Sequence, residues 1–234
     1  MVLVGGVHAT TLSDSCLTRN DWVCPEYVRT RSSQITDALQ EHVYITVTSL
    51  VIGFVVAFGL ALAARHWPVL SGPIQSTSTI LYTIPSLALF ALLFTVTGLS
   101  ATTVIVGLVL YSLTILVRGI MLGLDAVPGD VRESAMGMGY GPGKLLWKVE
   151  LPLALPAMFA ALRVAAVSTV AMTTVGFIVN HGGLGNLVIR GVNTSFKSEV
   201  LTASVLCVVL ALVADLVLVG LQRSLTPWRR GVAV

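Results

Sequence analysis

DVRESAMGMGYGPGKLLWKVELPLALP, residues Asp130 to Pro156, sets acids, bases and a string of glycines in the middle of a chain that is otherwise mostly apolar. Asp130 followed three residues later by Glu133 has the spacing of a capping box. In that arrangement Asp130 holds an orphan amide at the start of a helix from Val131 to Met138, and Glu133 reaches back to the N–H of the cap. Pro128 and Gly129 form the turn before it, and Gly139 stops it. Gly141-Pro142 then starts a second short helix through Lys144 to Val149, and Pro152 and Pro156 mark the beginning of the apolar run that follows. Such a helix-turn-helix is too polar to lie in lipid. The "GPGK" within it is not a phosphate loop, because that pattern needs a glycine where Met138 stands and a Ser or Thr where Leu145 stands. An ordinary capped loop is the plain alternative.

On both sides of this segment the chain is oil. Of 234 residues 55% are hydrophobic and 11% charged, and the mean hydropathy is +0.90. That leaves too few polar side chains to coat a water-soluble globule. A hydrocarbon core of about 30 Å takes about 20 helical residues. Stretches of that length recur at about 43–64, 74–96, 102–124, 157–179 and 200–221, the second with Pro85 in its middle. They are apolar on every face, so helices are expected rather than strands of a barrel. The expectation is an all-α membrane protein with one five-span domain at 43–222 and a short tail, 223–234.

Residues 1–42 form a polar extension. Asp14, Arg19, Asp21, Glu26, Arg29 and Arg31 interrupt any signal-peptide core. With five spans the two ends lie on opposite sides of the membrane. An outside amino terminus puts Arg65, Arg132, Lys144, Lys148, Arg223, Arg229 and Arg230 inside, against Arg19, Arg29, Arg31, Arg190 and Lys197 outside. Arg65 directly follows the first span and "PWRR" the last, so the Asp130–Pro156 segment is placed in the cytoplasm. Cys16 and Cys24 would bridge if the extension is extracytoplasmic and stay thiols if it is not.

Glu133-Ser134-Ala135, Gly139, and Val149-Glu150-Leu151-Pro152 together resemble the "EAA" loop of permease subunits of bacterial ABC importers. The spacing matches throughout, with Ser134 in place of the middle alanine and Val149 in place of isoleucine. "TIPSLALFALL" (Thr83–Leu93), "LVLYSLTILVRG" (Leu108–Gly119), "ELPLALPA" (Glu150–Ala157) and "GGLGNLV" (Gly182–Val188) narrow the resemblance to permeases for osmoprotectants such as glycine betaine, choline, carnitine or proline. The resemblance implies a type I importer core of five transmembrane helices with a cytoplasmic coupling helix at 130–152. It further implies that Glu133, Ser134, Ala135, Gly139, Val149, Leu151 and Pro152 couple the chain to a separate ATPase. This chain would bind no cofactor, ATP would sit on that partner subunit, and the chain would be a transport subunit of a bacterial cell membrane rather than an enzyme. Its other implied partners are an extracytoplasmic substrate-binding protein and a second permease, identical or similar. No nucleic acid is expected.

Other residues stand out on physical grounds. Arg118, Arg163 and Asp215 fall within predicted spans, toward their cytoplasmic ends, where ionisable groups face protein or water. Asp215 with Arg163 or Arg118 would brace the fifth span, and a proton relay is the alternative. Pro85 and Gly176 either kink their spans or pack them closely. Gly182, Gly183 and Gly185 in the outer connection form a candidate outer gate or a plain turn. His181 has no second ligand near it in sequence, and no metal site is read. Aromatics make up 7% and show no cluster in the spans, which points to recognition of a quaternary ammonium ion by a separate protein. An importer of another small polar solute such as an amino acid, or a stand-alone secondary transporter, is the alternative. The second lacks a repeated inverted set of spans. An enzyme would need a catalytic constellation, and His8, His42, His66 and His181 supply none.

Overall fold

The apolar run from Ala101 to Asp125 forms one helix buried on several sides, and the rest of the chain is arranged around it. The computed structural model describes residues 15–228, and no strand occurs among the described residues. The helices are α1 (Pro25–Thr30), α2 (Ser32–His66), α3 (Ser71–Thr83), α4 (Ser86–Thr97), α5 (Ala101–Asp125), α6 (Gly129–Gly137), α7 (Pro142–Leu145), α8 (Leu151–Thr173), α9 (Leu184–Asn193) and α10 (Lys197–Leu225). His8, Asp14, Arg229 and Arg230 lie outside the described residues.

Helix α5 packs against α2, α8, α3 and α4, while α10 packs against α8 and α9. The core joins Ala57 and Ala61 of α2, Leu116, Val117 and Ile120 of α5, and Met158 and Ala165 of α8. Small residues set the helix spacing. A Cβ on Gly119 would come within 2.0 Å of the Ala161 Cβ, so α5 and α8 cross where only glycine fits. Val205, Val208, Leu212, Val213, Leu216 and Val217 of α10 are all exposed. That surface suits lipid or further apolar helices and would be untenable in water.

The helix bounds differ from the sequence expectation in three places. Helix α2 begins at Ser32, within the stretch expected to be a separate extension, and its 35 residues reach about 52 Å at 1.5 Å per residue. The second apolar run is not one continuous helix but two, broken at Pro85. The segments Pro68–Thr83 and Ser86–Thr97 meet at 98°, because Ile84 and Pro85 are both extended (ψ 128° and 133°) and proline cannot supply the N–H that would continue the helix. The fourth run starts earlier than expected. From Pro142 to Val179 the chain is one helical run, so Pro152 and Pro156 lie inside a helix rather than before it. A wide π turn over Leu146–Glu150 precedes Pro152, and such a turn relieves the clash a proline ring makes with the preceding turn of an α-helix.

Candidate functional site

At one end of the bundle, α6 stands on the surface. Its start corrects the capping-box expectation: the helix begins at Gly129 with Pro128 as N-cap and no side-chain cap bond. The Pro128 carbonyl already accepts from the Arg132 N–H, which draws Asp130 into the first turn. A helical Asp130 cannot take the extended backbone of a cap, and its charge instead complements the positive helix end. The stop at Gly139 holds. Gly139 has φ +83°, its N–H donates to Met136 O (2.9 Å), and the Tyr140 N–H donates to Ala135 O (3.1 Å). Those two bonds make a Schellman closure, and its left-handed residue favours glycine. Glu133, Ser134, Met136 and Met138 face outward, while Ala135 is buried.

Glu150 anchors this end, a role the sequence reading did not assign to it. Its carboxylate is buried (1% exposed) and accepts from Arg65 at the end of α2. Arg132 Nε of α6 lies 2.8 Å from the same Oε1, and Arg132 Nη2 also donates to Leu124 O at 2.6 Å. One acid therefore joins α2, α6 and the start of α8, and Arg132 adds a bond to the end of α5. Two guanidinium groups on one carboxylate offset its desolvation. Val149, Leu151 and Pro152 flank this acid on the turn leading into α8. The sequence signal was available as an acid opening an apolar run, but its partners are far away along the chain.

Further along the helices, the bend at Ile84-Pro85 is held by one face of α5. Tyr111 donates its hydroxyl to the freed Ile84 carbonyl, Thr114 to Ser78 O, and Arg118 Nη2 to Thr79 Oγ1 at 2.8 Å. Residues 111, 114 and 118 are spaced three and four apart, a single helical stripe. Arg118 is thus engaged with α3, which removes it from the expected brace. That brace consists of Arg163 and Asp215 alone, in a two-point pairing: Nε to Oδ1 at 2.7 Å and Nη2 to Oδ2 at 2.9 Å. It ties α8 to α10. Arg163 stands near the middle of the Pro142–Val179 helical run.

The opposite end is a tied cap. Cys16 and Cys24 form a disulfide with Cα atoms 5.5 Å apart. Asn20 Nδ2 donates to Ser195 O (2.8 Å), and its Oδ1 accepts from the Lys197 N–H (2.9 Å). Arg190 pairs with Glu199, Glu41 with His181 at 2.7 Å, and the Tyr27 ring meets Phe196 edge-on at 5.3 Å. Burial, and then the negative charge of Glu199, push the Tyr27 hydroxyl above its ordinary pKa. His42 is fully buried. Its Nε2 donates to Val170 O (3.0 Å), and its Nδ1 accepts from the Leu184 N–H (3.3 Å), which sets the neutral tautomer.

Gly182, Gly183 and Gly185 lie inside this cap rather than on a free loop. A Cβ on Gly182 would come within 2.6 Å of Phe177 N, on Gly183 within 2.6 Å of the His42 Cβ, and on Gly185 within 2.1 Å of Thr174 O. They are buried, and each is closely packed where a side chain would not fit. Gly176 packs likewise: a Cβ there would come within 2.7 Å of His181 O. Among the described residues one group, Cys16, Cys24 and Glu26, brings metal-ligand atoms together, and both of its sulfurs are spent in the disulfide.

Residues 49–231 match the family described as binding-protein-dependent transport system inner membrane component. The chain is 33% identical over 205 residues to a glycine betaine/carnitine/choline transport system permease protein of Bacillus subtilis, covering 87% of this chain and 90% of that one. It is equally similar, 33% over 205 residues, to a choline transport system permease protein of the same organism, at 87% and 91% coverage. An osmoprotectant import permease protein of Salmonella typhimurium is 31% identical over 210 residues, at 86% and 96% coverage. In fold, the chain superposes on the inward-facing methionine ABC transporter with a TM-score of 0.75 at 21% identity, covering 84% of this chain and 98% of that one. An amino acid ABC transporter gives 0.72 at 16% identity, with 86% and 99% covered. Those two likenesses carry the architecture alone.

Proposed function

The chain belongs to the family of binding-protein-dependent transport system inner membrane components, and from that premise we propose that it imports small quaternary ammonium osmoprotectants as one permease subunit of an ATP-driven transporter. It is a membrane transport subunit, not an enzyme. Glycine betaine, choline and carnitine are the solutes named for its relatives at 30% identity and above, and the substrate reading rests on them. ATP sits on a separate ATPase, a binding protein delivers the solute, and a second permease, identical or similar, completes the passage.

The observation that carries the coupling role is α6 itself: an exposed helix closed by Gly139 and hung from the bundle by Arg132 on Glu150. Such a piece moves as a rigid body when a partner pushes it. Glu133 and Ser134, with Met136 and Met138 beside them, offer the contact face; Ala135 seats the helix; Gly139 ends it. Val149, Leu151 and Pro152 carry the displacement into α8. In this reading α6 lies in the cytoplasm and the disulfide-bonded cap outside, where a bridge between Cys16 and Cys24 is chemically at home.

The test is reconstitution in liposomes with the cognate ATPase and binding protein, following uptake of labelled choline, glycine betaine, carnitine and proline. Uptake that requires ATP and prefers a quaternary nitrogen is the expected result; uptake restricted to solutes without one would sink the substrate reading. In the same assay Gly139→Val, which forces a β-branched residue to positive φ, should separate ATP hydrolysis from uptake, whereas Gly139→Asn should keep them coupled. Equal coupling in both variants would refute the role given to the α6 closure.

A further inference from the structure

The bend between α3 and α4 opens a cavity of about 290 Å³ between α5 and α8. Two aromatic rings stand in its wall: Tyr82, half exposed, and Tyr111, with centroids 5.7 Å apart and planes at 78°. Ser112, Ser168 and Thr169 add hydroxyl groups and Met172 a thioether. No charged side chain lines it. Arg118, two turns along α5 from Tyr111, is turned to Thr79.

That combination selects among cations. A primary ammonium entering an apolar site needs hydrogen-bond acceptors for each N–H, and preferably a carboxylate. A quaternary ammonium has no N–H to satisfy. It is held by polarizable surface, best of all by aromatic faces. We propose that this cavity is a transit site for the methylated ammonium head of the solute, with Tyr82 as the residue that recognises it and Tyr111 as the ring that completes the wall while pinning the bend through Ile84 O. The site belongs to the permease and is separate from recognition by any binding protein. A polar groove lies along α3, with Ser71, Gln75, Ser76, Thr79 and Arg118 on its wall, and in this proposal it is the approach to the cavity. The inference takes its substrate from the osmoprotectant reading, but the site rests on the cavity itself.

Tyr82 carries the test, because Tyr111→Phe would also release the Ile84 carbonyl. In the assembled transporter, Tyr82→Phe should import choline within about twofold of the unaltered protein. Tyr82→Leu should lose about five- to tenfold in kcat/KM, the range of one partly exposed cation–π contact. Direct binding is read separately, by titrating tetramethylammonium into the permease–ATPase complex without binding protein: the unaltered and Tyr82→Phe complexes should bind it and Tyr82→Leu should bind at least fivefold more weakly. Equal binding by the Leu and Phe variants, or none by the unaltered complex, overturns the inference. If the unaltered transporter imports no quaternary solute yet the complex binds tetramethylammonium through Tyr82, the substrate reading fails and the site stands.

Discussion

The two polar ends of this bundle are built on opposite plans. At the cap formed by residues 15–31 and 180–199, a disulfide, the Arg190–Glu199 ion pair, the His181–Glu41 hydrogen bond, a buried histidine bonded at both ring nitrogens and several backbone ties cross-link α1, α2, α9 and α10. At the other end α6 is largely exposed, and its tether is Arg132 reaching Glu150 and the end of α5. Redundant ties make a rigid lid; a single buried ion cluster makes a joint. An element that transmits motion, the role proposed for α6, must move without unfolding, and the second plan permits that where the first does not.

The comparison breaks most readily at Glu150. Glu150→Ala leaves Arg65 and Arg132 facing one another without their shared acid, and should cost about 3 kcal/mol, the lower part of the range for a broken buried pair because both arginines retain some solvent. Thermal unfolding in detergent reads the cost, and uptake per ATP hydrolysed should fall with it. An unchanged melting temperature and intact coupling would show that α6 is held elsewhere.

Opening the disulfide with Cys16→Ser and Cys24→Ser should have a smaller effect, about 2 kcal/mol for so short a loop, confined to the cap and without loss of coupling. Uncoupling by this change would reverse the roles assigned to the two ends.

The smallest effect concerns pH. The Tyr27 pKa is raised in the folded chain, so its contribution to stability is complete below the ordinary tyrosine range, near about 10, and is lost as pH rises through the higher folded value. Tyr27→Phe should melt within about 0.5 kcal/mol of the parent at neutral pH and lose less stability than the parent above pH about 10. Parallel alkaline curves would remove Tyr27 as a sensor of cap burial.

Most of the architecture was legible in the chain because the forces behind it are local. Five long apolar runs needed no partner to be recognised as helices, since lipid leaves a backbone no other way to satisfy its amides. The stop at Gly139 was legible for the same reason: a helix end is written within five residues. The start of α6 is not legible locally, because Pro128 and Asp130 both suit a helix beginning and only the realised bond from Arg132 N–H to Pro128 O chooses between them. For the second run, composition records that Pro85 interrupts a helix, not that the two halves turn through 98°.

By itself, then, the sequence determined an all-helical membrane chain, the bounds of its third and fifth spans to within about a turn, the polar segment between its third and fourth apolar runs and its family resemblance. Tertiary structure alone decided which charges meet. Glu150 and Arg65 are 85 residues apart, Arg163 and Asp215 52 apart, and Arg118 turned to Thr79 instead of Asp215. It also decided that the three glycines near His181 are packing positions, and that Tyr82 and Tyr111 share a cavity. Periodicity and capping act over one helical turn, whereas ion pairing and ring contact depend on which helix faces come together, and that is settled only when the whole bundle packs.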